Sequence, residues 1–360
     1  NVSKIRQTVD IVIAGHHRTL PFKVAAIVEI PISQGSAVKQ WAIAPDHVWL
    51  MPIPDAGSDA ALTTSPKIYE DAETVLHIVG VPYGTEAQIG QVFRAAFDEG
   101  VVKRGDLFIM SKVWNDMHRD VAASCKKTIA DLQCDYLDML FIHWPFPNYH
   151  APFCDVDSRN PDSKPFSVAE FVDTYRQIEA LVDEGLVKHI GISNMTIPKL
   201  NAVLGKLRIK PAACESELHP CFQQQELFDY LVAKDILPIG YMPLGSPRRP
   251  ERDILPEDIA DMQMPELVEI AKAHGCHPAT VCLKWALQRG QLPIPFSVHN
   301  YEANLKAAVT EKLTDEEMAT IATLERGNRL VKGQVFLWPG ANDWHDLWDE
   351  DGVIVQCTDC

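Results

Sequence analysis

The run Asp131-Leu-Gln-Cys-Asp-Tyr-Leu-Asp-Met-Leu-Phe-Ile-His-Trp144 contains a mostly apolar stretch, Tyr136–Trp144, in which the polar His143 comes near the end. Short apolar runs of this kind are typical of strands that are buried on both faces of a parallel sheet. Five more lie on either side of it: Leu107–Val113, His189–Ser193, Ala213–Leu218, Ile236–Leu244 and Leu292–Val298. Helical patterns separate the six runs, and this alternation indicates parallel βα units.

Residue types that start and stop helices mark the ends of the intervening helices. Capping boxes are expected at Thr85/Gln88, Ser167/Glu170 and Thr314/Glu317, while Pro265 and Pro278 stand at first helical positions and Gly185 and Gly275 follow last turns. Two further strands upstream would bring the total to eight. No strand is followed by the glycine-rich phosphate-binding sequence of doubly wound folds. We therefore expect an α/β fold, a (β/α)8 TIM barrel with a long C-terminal loop and an atypical N-terminal first unit.

The composition limits the classes of partner. The chain has 360 residues, with 33 Lys+Arg against 49 Asp+Glu and a net charge of −16. Such an acidic surface repels phosphate groups, so we expect neither a nucleic acid nor an anionic membrane as partner. The nine cysteines show no CxxC or Cys/His clustering. This pattern favours free thiols in the reducing cytoplasm over disulfides or a metal site.

The chain is expected to form a single barrel domain over residues 1–360, with residues 83–325 as its core. In residues 1–82, Ile5–Ala14 and Leu20–Ile30 can pair as a hairpin, and a surface insertion follows between Ser33 and Pro66. Residues 326–360 are rich in aromatic residues, glycine and aspartate, which predicts an ordered loop. We expect this tail to cover the barrel mouth and to form a wall of a pocket there.

Several of the expected strands end in polar residues, which in a barrel meet at one mouth. These residues are Lys112, His143, Ser193, Asn194, Glu215, Glu217, Tyr241 and Ser297. A lysine beside a tyrosine has a chemical use, because a neighbouring ammonium lowers the high pKa of a phenol and makes it a better proton donor. A histidine within reach can orient a carbonyl oxygen. The set is suited to carbonyl reduction with a hydride from a nicotinamide.

Four long motifs in register are similar to those of the aldo-keto reductases. They are Leu107-Phe-Ile-Met-Ser-Lys-Val-Trp-Asn115, Asp131–Pro145, Gly185-Leu-Val-Lys-His-Ile-Gly-Ile-Ser-Asn194 and Gly240-Tyr-Met-Pro-Leu-Gly-Ser-Pro247. The resemblance extends from about Tyr83 to Leu324. It implies a barrel without a separate dinucleotide-binding domain, and NADPH bound across the mouth.

The resemblance also implies roles for individual residues. Tyr83 would donate the proton, Lys112 would lower the pKa of Tyr83, and His143 would orient the substrate carbonyl. The cofactor would be bound by Ser193, Asn194, Glu215, Tyr241, Leu244, Ser246, Ser297, Val298 and Asn304. Trp114 and Trp144, together with aromatic residues of the tail, would line the substrate pocket.

The sequence departs from the family at three points. The family's His-Ile-Asp run reads His77-Ile78-Val79, so the acid that pairs with the lysine is missing. A buried lysine without a partner tends towards neutrality, so either another acid replaces it from the N-terminal segment or catalysis is weakened. Glu215 replaces a glutamine, and we expect it to contact the carboxamide or to compensate Lys112 at longer range. In the family, two cations bind the 2′-phosphate that distinguishes NADPH from NADH. Here Phe296 replaces one of them and the short loop after Val298 lacks the other, which leaves NADH as an alternative cofactor.

Three functional hypotheses follow. The first is NAD(P)H-dependent reduction of a small-molecule aldehyde or ketone by a cytoplasmic monomer or weak homodimer. The second is a catalytically weakened barrel that binds the cofactor in a binding or regulatory role. The third, a glycosidase using Glu215 and Glu217, is disfavoured because no second acidic strand end faces them at the ~5 Å that retaining enzymes need. A metal pair of Glu217 and His219 lacks a third ligand.

Overall fold

The structure is a computed structural model. It describes the backbone of residues 10–15, 18–23, 27–29, 40–42, 48–51 and 74–78, and most of the chain with its side chains from residue 86 to residue 355. In that second part the description excludes residues 99–102, 152–153, 246–252, 296–299, 301–302, 305–306 and 309, and the side chains of residues 88, 96 and 158.

One sheet of eight strands forms the centre of the described fold. The strands of the chain are β1 (Asp10–Gly15), β2 (Arg18–Lys23), β3 (Ile27–Glu29), β4 (Gln40–Ala42), β5 (Val48–Met51), β6 (Thr74–Ile78), β7 (Leu107–Val113), β8 (Leu137–Ile142), β9 (Val187–Ser193), β10 (Ala213–Glu217), β11 (Leu237–Tyr241) and β12 (Leu292–Pro293). Strands β5 to β12 are neighbours in chain order, and β6 to β12 are all parallel. All six strands expected from the apolar runs are therefore present.

Helices connect the parallel strands. They are α1 (Glu86–Asp98), α2 (Val121–Asp131), α3 (Val168–Asp183), α4 (Ile197–Val203), α5 (Gln225–Ala233), α6 (Pro265–Ala273), α7 (Pro278–Gln288), α8 (Asp315–Ala322) and α9 (His345–Trp348). The expected capping box at Thr314 and Glu317 is complete, and Ser167 caps α3 through its hydroxyl. Parallel neighbours joined by helices in chain order make the fold a (β/α)8 barrel.

The strands bury two different apolar layers because successive side chains point to opposite faces. On β7, Leu107 and Ile109 pack in the cluster shared with the helices, whereas Phe108 and Met110 pack in the second cluster inside the barrel. The interior cluster also includes Met139, Phe141, Ala213, Leu237 and Ile239. Every second residue after these positions therefore points into the barrel at the carboxyl ends of the strands.

The N-terminal region differs from a regular (β/α)8 barrel. β1 and β2 form the expected hairpin, with Gly15 opposite Arg18. The expectation of a surface insertion between Ser33 and Pro66 is wrong for Val48–Met51, because this segment is β5 of the central sheet. β5 runs antiparallel to β6. An antiparallel neighbour needs no crossover helix, and the sequence between the two strands, which contains Pro52, Pro54 and Pro66, has no helical pattern.

The C-terminal tail packs against the end of the sheet where β7 and β8 finish. Trp114 follows β7 and Trp144 lies just after β8; both are buried in one aromatic cluster with Phe336, Trp338 and Trp348 of the tail. As expected, this part of the tail is mostly loop, with the single turn of α9 near its end. It therefore covers side chains at the same mouth as the strand ends.

Two expectations from composition can be compared with the described residues. The seven cysteines described there are all free thiols. Within the same part of the chain, each helix is too short or too polar to cross a bilayer.

The interior layer leaves no room for a side chain at position 191. A Cβ on Gly191 would lie 2.3 Å from ring atoms of Phe141, which is fully buried. We expect Gly191→Ala to lower the free energy of unfolding by about 1–3 kcal/mol, because overpacking forces neighbours from their rotamers. Denaturant unfolding would measure this loss. Gly205→Ala is the matched control, because a Cβ there meets nothing within 4 Å; equal losses at both positions would contradict the interior placement.

Candidate active site at the strand ends

A buried ion pair links two strands at the barrel mouth. Lys112, the last but one residue of β7, donates from Nζ to Oε1 of Glu215 on β10 at 2.5 Å. The two side chains are only 4% and 3% exposed. Both positions belong to the interior face, since Lys112 follows Met110 by two residues and Glu215 follows Ala213 by two. The barrel therefore brings together two charges that lie 103 residues apart in the chain.

The contact corrects one expectation from the sequence. Glu215 compensates Lys112 by direct contact rather than at longer range. Burial raises the pKa of the Glu215 carboxyl, and the ammonium of Lys112 opposes this rise. The ammonium of Lys112 thus favours the ionised form of Glu215 in a nearly buried site.

His143, on the neighbouring strand end, is held neutral. Burial lowers the pKa of its imidazole well below the ordinary value, and the charge of Lys112 lowers it further. The ring stands edge-on to Trp114, with 4.7 Å between centroids, and its Nδ1 is buried without a hydrogen-bond partner in the described part of the chain. A neutral imidazole can donate one N–H to an oxygen without adding a charge to the mouth.

Three polar side chains from β9 and β11 form a hydrogen-bonded row beside this pair. Tyr241 donates its hydroxyl to Oδ1 of Asn194 at 2.8 Å. The Nδ2 of Asn194 donates to the backbone oxygen of His143 at 2.8 Å and to the hydroxyl of Ser193 at 3.2 Å. Ser193 in turn donates to the backbone oxygen of Glu215 at 2.9 Å.

Local backbone geometry helps to place this row. Asn194 has a φ of +57°, a left-handed conformation that asparagine tolerates better than most residues. The turn brings its amide across to β8 and β11. Burial raises the pKa of Tyr241 well above its ordinary value, and the charge of Glu217 adds to this, so its phenol stays protonated. A hydroxyl, an amide and a phenol in one row are a donor and acceptor set that fits a carboxamide and an aromatic ring.

A second charged cluster lies at the end of β10 and just beyond it. His219 contacts Oδ2 of Asp261 through Nδ1 at 2.9 Å and Oε1 of Glu217 through Nε2 at 3.1 Å, and all three side chains are fully buried or nearly so. Burial alone would lower the pKa of His219, but the two carboxylates raise it to about 9. The imidazolium therefore donates from both nitrogens.

The same cluster holds the C-terminal tail. Glu217 accepts backbone N–H groups of Leu330 at 2.6 Å and Val331 at 2.8 Å. Burial would raise the pKa of Glu217, but His219, the charge of Arg329 and the hydrogen bond from Leu330 lower it below its ordinary value. Glu217 and His219 thus belong to a hydrogen-bonded ion cluster that anchors the tail, and among the described residues no group of three His, Cys, Asp or Glu side chains is arranged to hold a metal ion.

The structure brings most of the expected site residues together, and the others lie elsewhere or outside the described residues. Lys112, His143, Ser193, Asn194, Glu215 and Tyr241 meet at one mouth, with Trp114 and Trp144 in the aromatic cluster above them. Leu244 packs against the cluster of α6 and α7, and the N–H of the buried Asn304 donates to the backbone oxygen of Asn300. Tyr83, Ser246, Ser297 and Val298 lie outside the described residues.

Sequence reasoning missed Asp261 as a partner of His219. It lies in a short turn 42 residues further along the chain, in a segment with no strand or helix pattern. No local signal identifies such a partner, because the contact exists only once the strand ends are assembled.

Comparisons with known proteins show which proteins this chain resembles. The aldo/keto reductase family model matches residues 81–326. An aldo/keto reductase of Synechocystis sp. is 41% identical, covering 74% of this chain and 83% of the relative. An aldose reductase of Encephalitozoon cuniculi is 38% identical, covering 69% of this chain and 80% of the relative. The aldo-keto reductase of the silkworm Bombyx mori, solved with NADPH, has a TM-score of 0.60 at 27% identity, covering 77% of this chain and 82% of that one.

The raised pKa of His219 predicts a pH-dependent stability. A folded pKa of about 9 against about 6.5 in the unfolded chain means that its stabilisation is full below about pH 6.5 and is lost as the pH rises towards 9. The total is on the order of 3 kcal/mol. We expect the free energy of unfolding to fall between about pH 6 and about pH 8, below the range in which unfolded thiols titrate.

Denaturant unfolding of the wild type and His219→Gln across this range would measure the effect. The variant should be less stable and show a flatter dependence on pH. The same substitution at the half-exposed His345 controls for the loss of any histidine. A wild-type slope that survives in His219→Gln would assign the dependence to other groups.

Proposed function

The chain belongs to the aldo/keto reductase family, and from this we propose that it reduces the carbonyl group of a small-molecule aldehyde or ketone with NADPH. One observation carries the proposal. A buried Lys112, whose charge is compensated by Glu215, lies on the strand next to the one that ends in a neutral His143. A charged amine and a neutral imidazole have distinct uses in carbonyl reduction. Both face the interior at one mouth of the barrel.

The proton step depends on three side chains. Tyr83, assigned from its sequence motif, gives its hydroxyl proton to the oxygen of the reduced carbonyl. Lys112 stabilises the phenolate that remains, which makes the phenol a better acid near neutral pH. His143 donates an N–H to the same oxygen and orients the carbonyl. Because it is neutral, it does not compete with Tyr83 as the acid.

The residues beside this trio fit a nicotinamide. Ser193 and Asn194 present a hydroxyl and an amide to a carboxamide, and Tyr241 presents an aromatic ring at the end of β11. When bound, the cofactor supplies the hydride that reaches the carbonyl carbon. The structural neighbour solved with NADPH supports NADPH as the cofactor. NADH is the alternative, because Phe296 stands where a cation is expected.

The remaining features of the proposal follow from charge and packing. Trp114 and Trp144, with tail aromatic residues, line the pocket for the substrate. The net charge of −16 disfavours nucleic acids and anionic membranes as partners. We place the enzyme in the cytoplasm as a monomer or weak homodimer.

Replacing the proposed proton donor tests the chemistry. We expect Tyr83→Phe to lower kcat for carbonyl reduction by at least about 100-fold, since the general acid is removed. NADPH binding should be retained, because the phenol is not among the residues proposed to hold the cofactor. Steady-state kinetics on a panel of aldehydes and ketones would measure the first effect. Unchanged turnover would refute the assignment of Tyr83.

Cofactor choice is tested separately by titrating the protein with NADPH and with NADH. The eight tryptophans allow binding to be followed by protein fluorescence, and we expect tighter binding of NADPH. Tighter binding of NADH would assign the alternative cofactor. Binding of neither would overturn the reductase proposal, whereas binding without turnover of any carbonyl would favour the binding or regulatory role.

A further inference from the structure

Lys112 presents an energetic problem that the fold must solve. Its ammonium is 4% exposed, and an unpaired charge at that depth is costly enough to drive a lysine towards neutrality. A neutral amine would not stabilise a phenolate. The acid expected in the sequence before Tyr83 is absent, because Val79 stands there.

The structure supplies a carboxylate from another part of the barrel. β10 lies three places from β7 in the sheet, yet Glu215 reaches Lys112 across the interior at 2.5 Å. The backbone of Glu215 is also held by residues at the end of β9. Its carbonyl oxygen accepts hydrogen bonds from the hydroxyl of Ser193 and the N–H of Asn194, each at 2.9 Å. The carboxylate is therefore held in one place by its strand and its neighbours.

Resting on the proposed function, we propose that Glu215 is the positioning residue that keeps Lys112 charged and fixes its ammonium at the barrel mouth. It takes the part of the acid that is missing before Tyr83. Glu215 acts through Lys112 and does not touch the reacting atoms. With Oε1 engaged by Lys112, its principal role is compensation of charge rather than contact with the carboxamide.

Within the part of the chain whose side chains are described, the other titratable groups around the pair do not take over this role. His143 on β8 and Tyr241 on β11 are both neutral, since burial lowers the pKa of the first and raises the pKa of the second. Glu217, two residues further along β10, is ionised but is paired with His219. The charge on Lys112 is therefore balanced by Glu215.

The pH dependence of the reaction follows from this pairing. Burial raises the pKa of Glu215, so activity should fall on the acid side as this carboxyl takes up its proton. In Glu215→Gln the ammonium loses its counter-charge, and Lys112 gives up its proton at a lower pH than in the wild type. The alkaline limb of the rate profile should therefore move to lower pH by about one unit or more.

A double-mutant cycle separates action through Lys112 from any other effect. We expect Glu215→Gln to lower kcat/KM by about 10-fold to about 100-fold, and Lys112→Met to lower it further. Adding Glu215→Gln to Lys112→Met should cause no additional loss of activity. NADPH binding, followed by fluorescence, should change little in Glu215→Gln.

The thermal stability of the same variants tests the coupling without cofactor or substrate. Each single variant leaves one buried charge unpaired, so each should lower the Tm of the cofactor-free protein by several degrees. The double variant should be less destabilised than the two single losses added together. Additive losses would mean that the two groups are not coupled and would overturn the proposal.

Asp138→Asn is the matched control. Asp138 is also a buried carboxylate in ion pairs, with Arg104 and Lys188, but it lies on β8 away from the mouth. This variant should lower the Tm without moving either limb of the rate profile. If Glu215→Gln behaves in the same way, Glu215 is merely structural and the proposal fails. A wild type that binds no cofactor and reduces no carbonyl would instead refute the proposed function, and the unfolding cycle would still report on the pair.

Discussion

The side-chain period of two along parallel strands governs the chemistry of this protein. Because alternate residues of β7, β8, β10 and β11 fill the barrel interior, the polar residues that continue this alternation at the strand ends also face inward. Lysine and glutamate at those positions are thus forced into a layer that water does not reach. Their mutual attraction offsets the cost of burying the two charges. The positive charge of Lys112 also helps to keep His143 neutral, because it lowers the pKa of that imidazole.

Much of the architecture could be predicted from the sequence because it depends on local patterns. The apolar runs located β7 to β12, and Thr314, Pro265 and Pro278 marked helix starts that the structure contains. The mouth residues could be predicted for the same reason, since a polar residue at the carboxyl end of an apolar strand lies at the mouth of a barrel. These inferences need no knowledge of which strands are neighbours across the interior.

The parts that sequence could not give are long-range pairings. Lys112 and Glu215 are separated by 103 residues, and Glu217 and Val331 by 114. Nothing near Lys112 indicates that its acid comes from β10, so a replacement from the N-terminal segment was an equally reasonable expectation. The direction of β5 could not be predicted for a related reason, because it depends on how the strand pairs with β6, which begins after 22 intervening residues in the chain.

The anchoring of the tail by Glu217 has an evolutionary consequence. The carboxylate grips main-chain N–H groups of residues 330 and 331, and every amino acid except proline provides such a group. The attachment itself therefore places almost no demand on the identity of the tail residues. A segment held in this way can exchange the aromatic side chains that it presents to the mouth while remaining in position. Substitutions in the tail can then change the shape of the pocket without changing the charged strand ends beneath it.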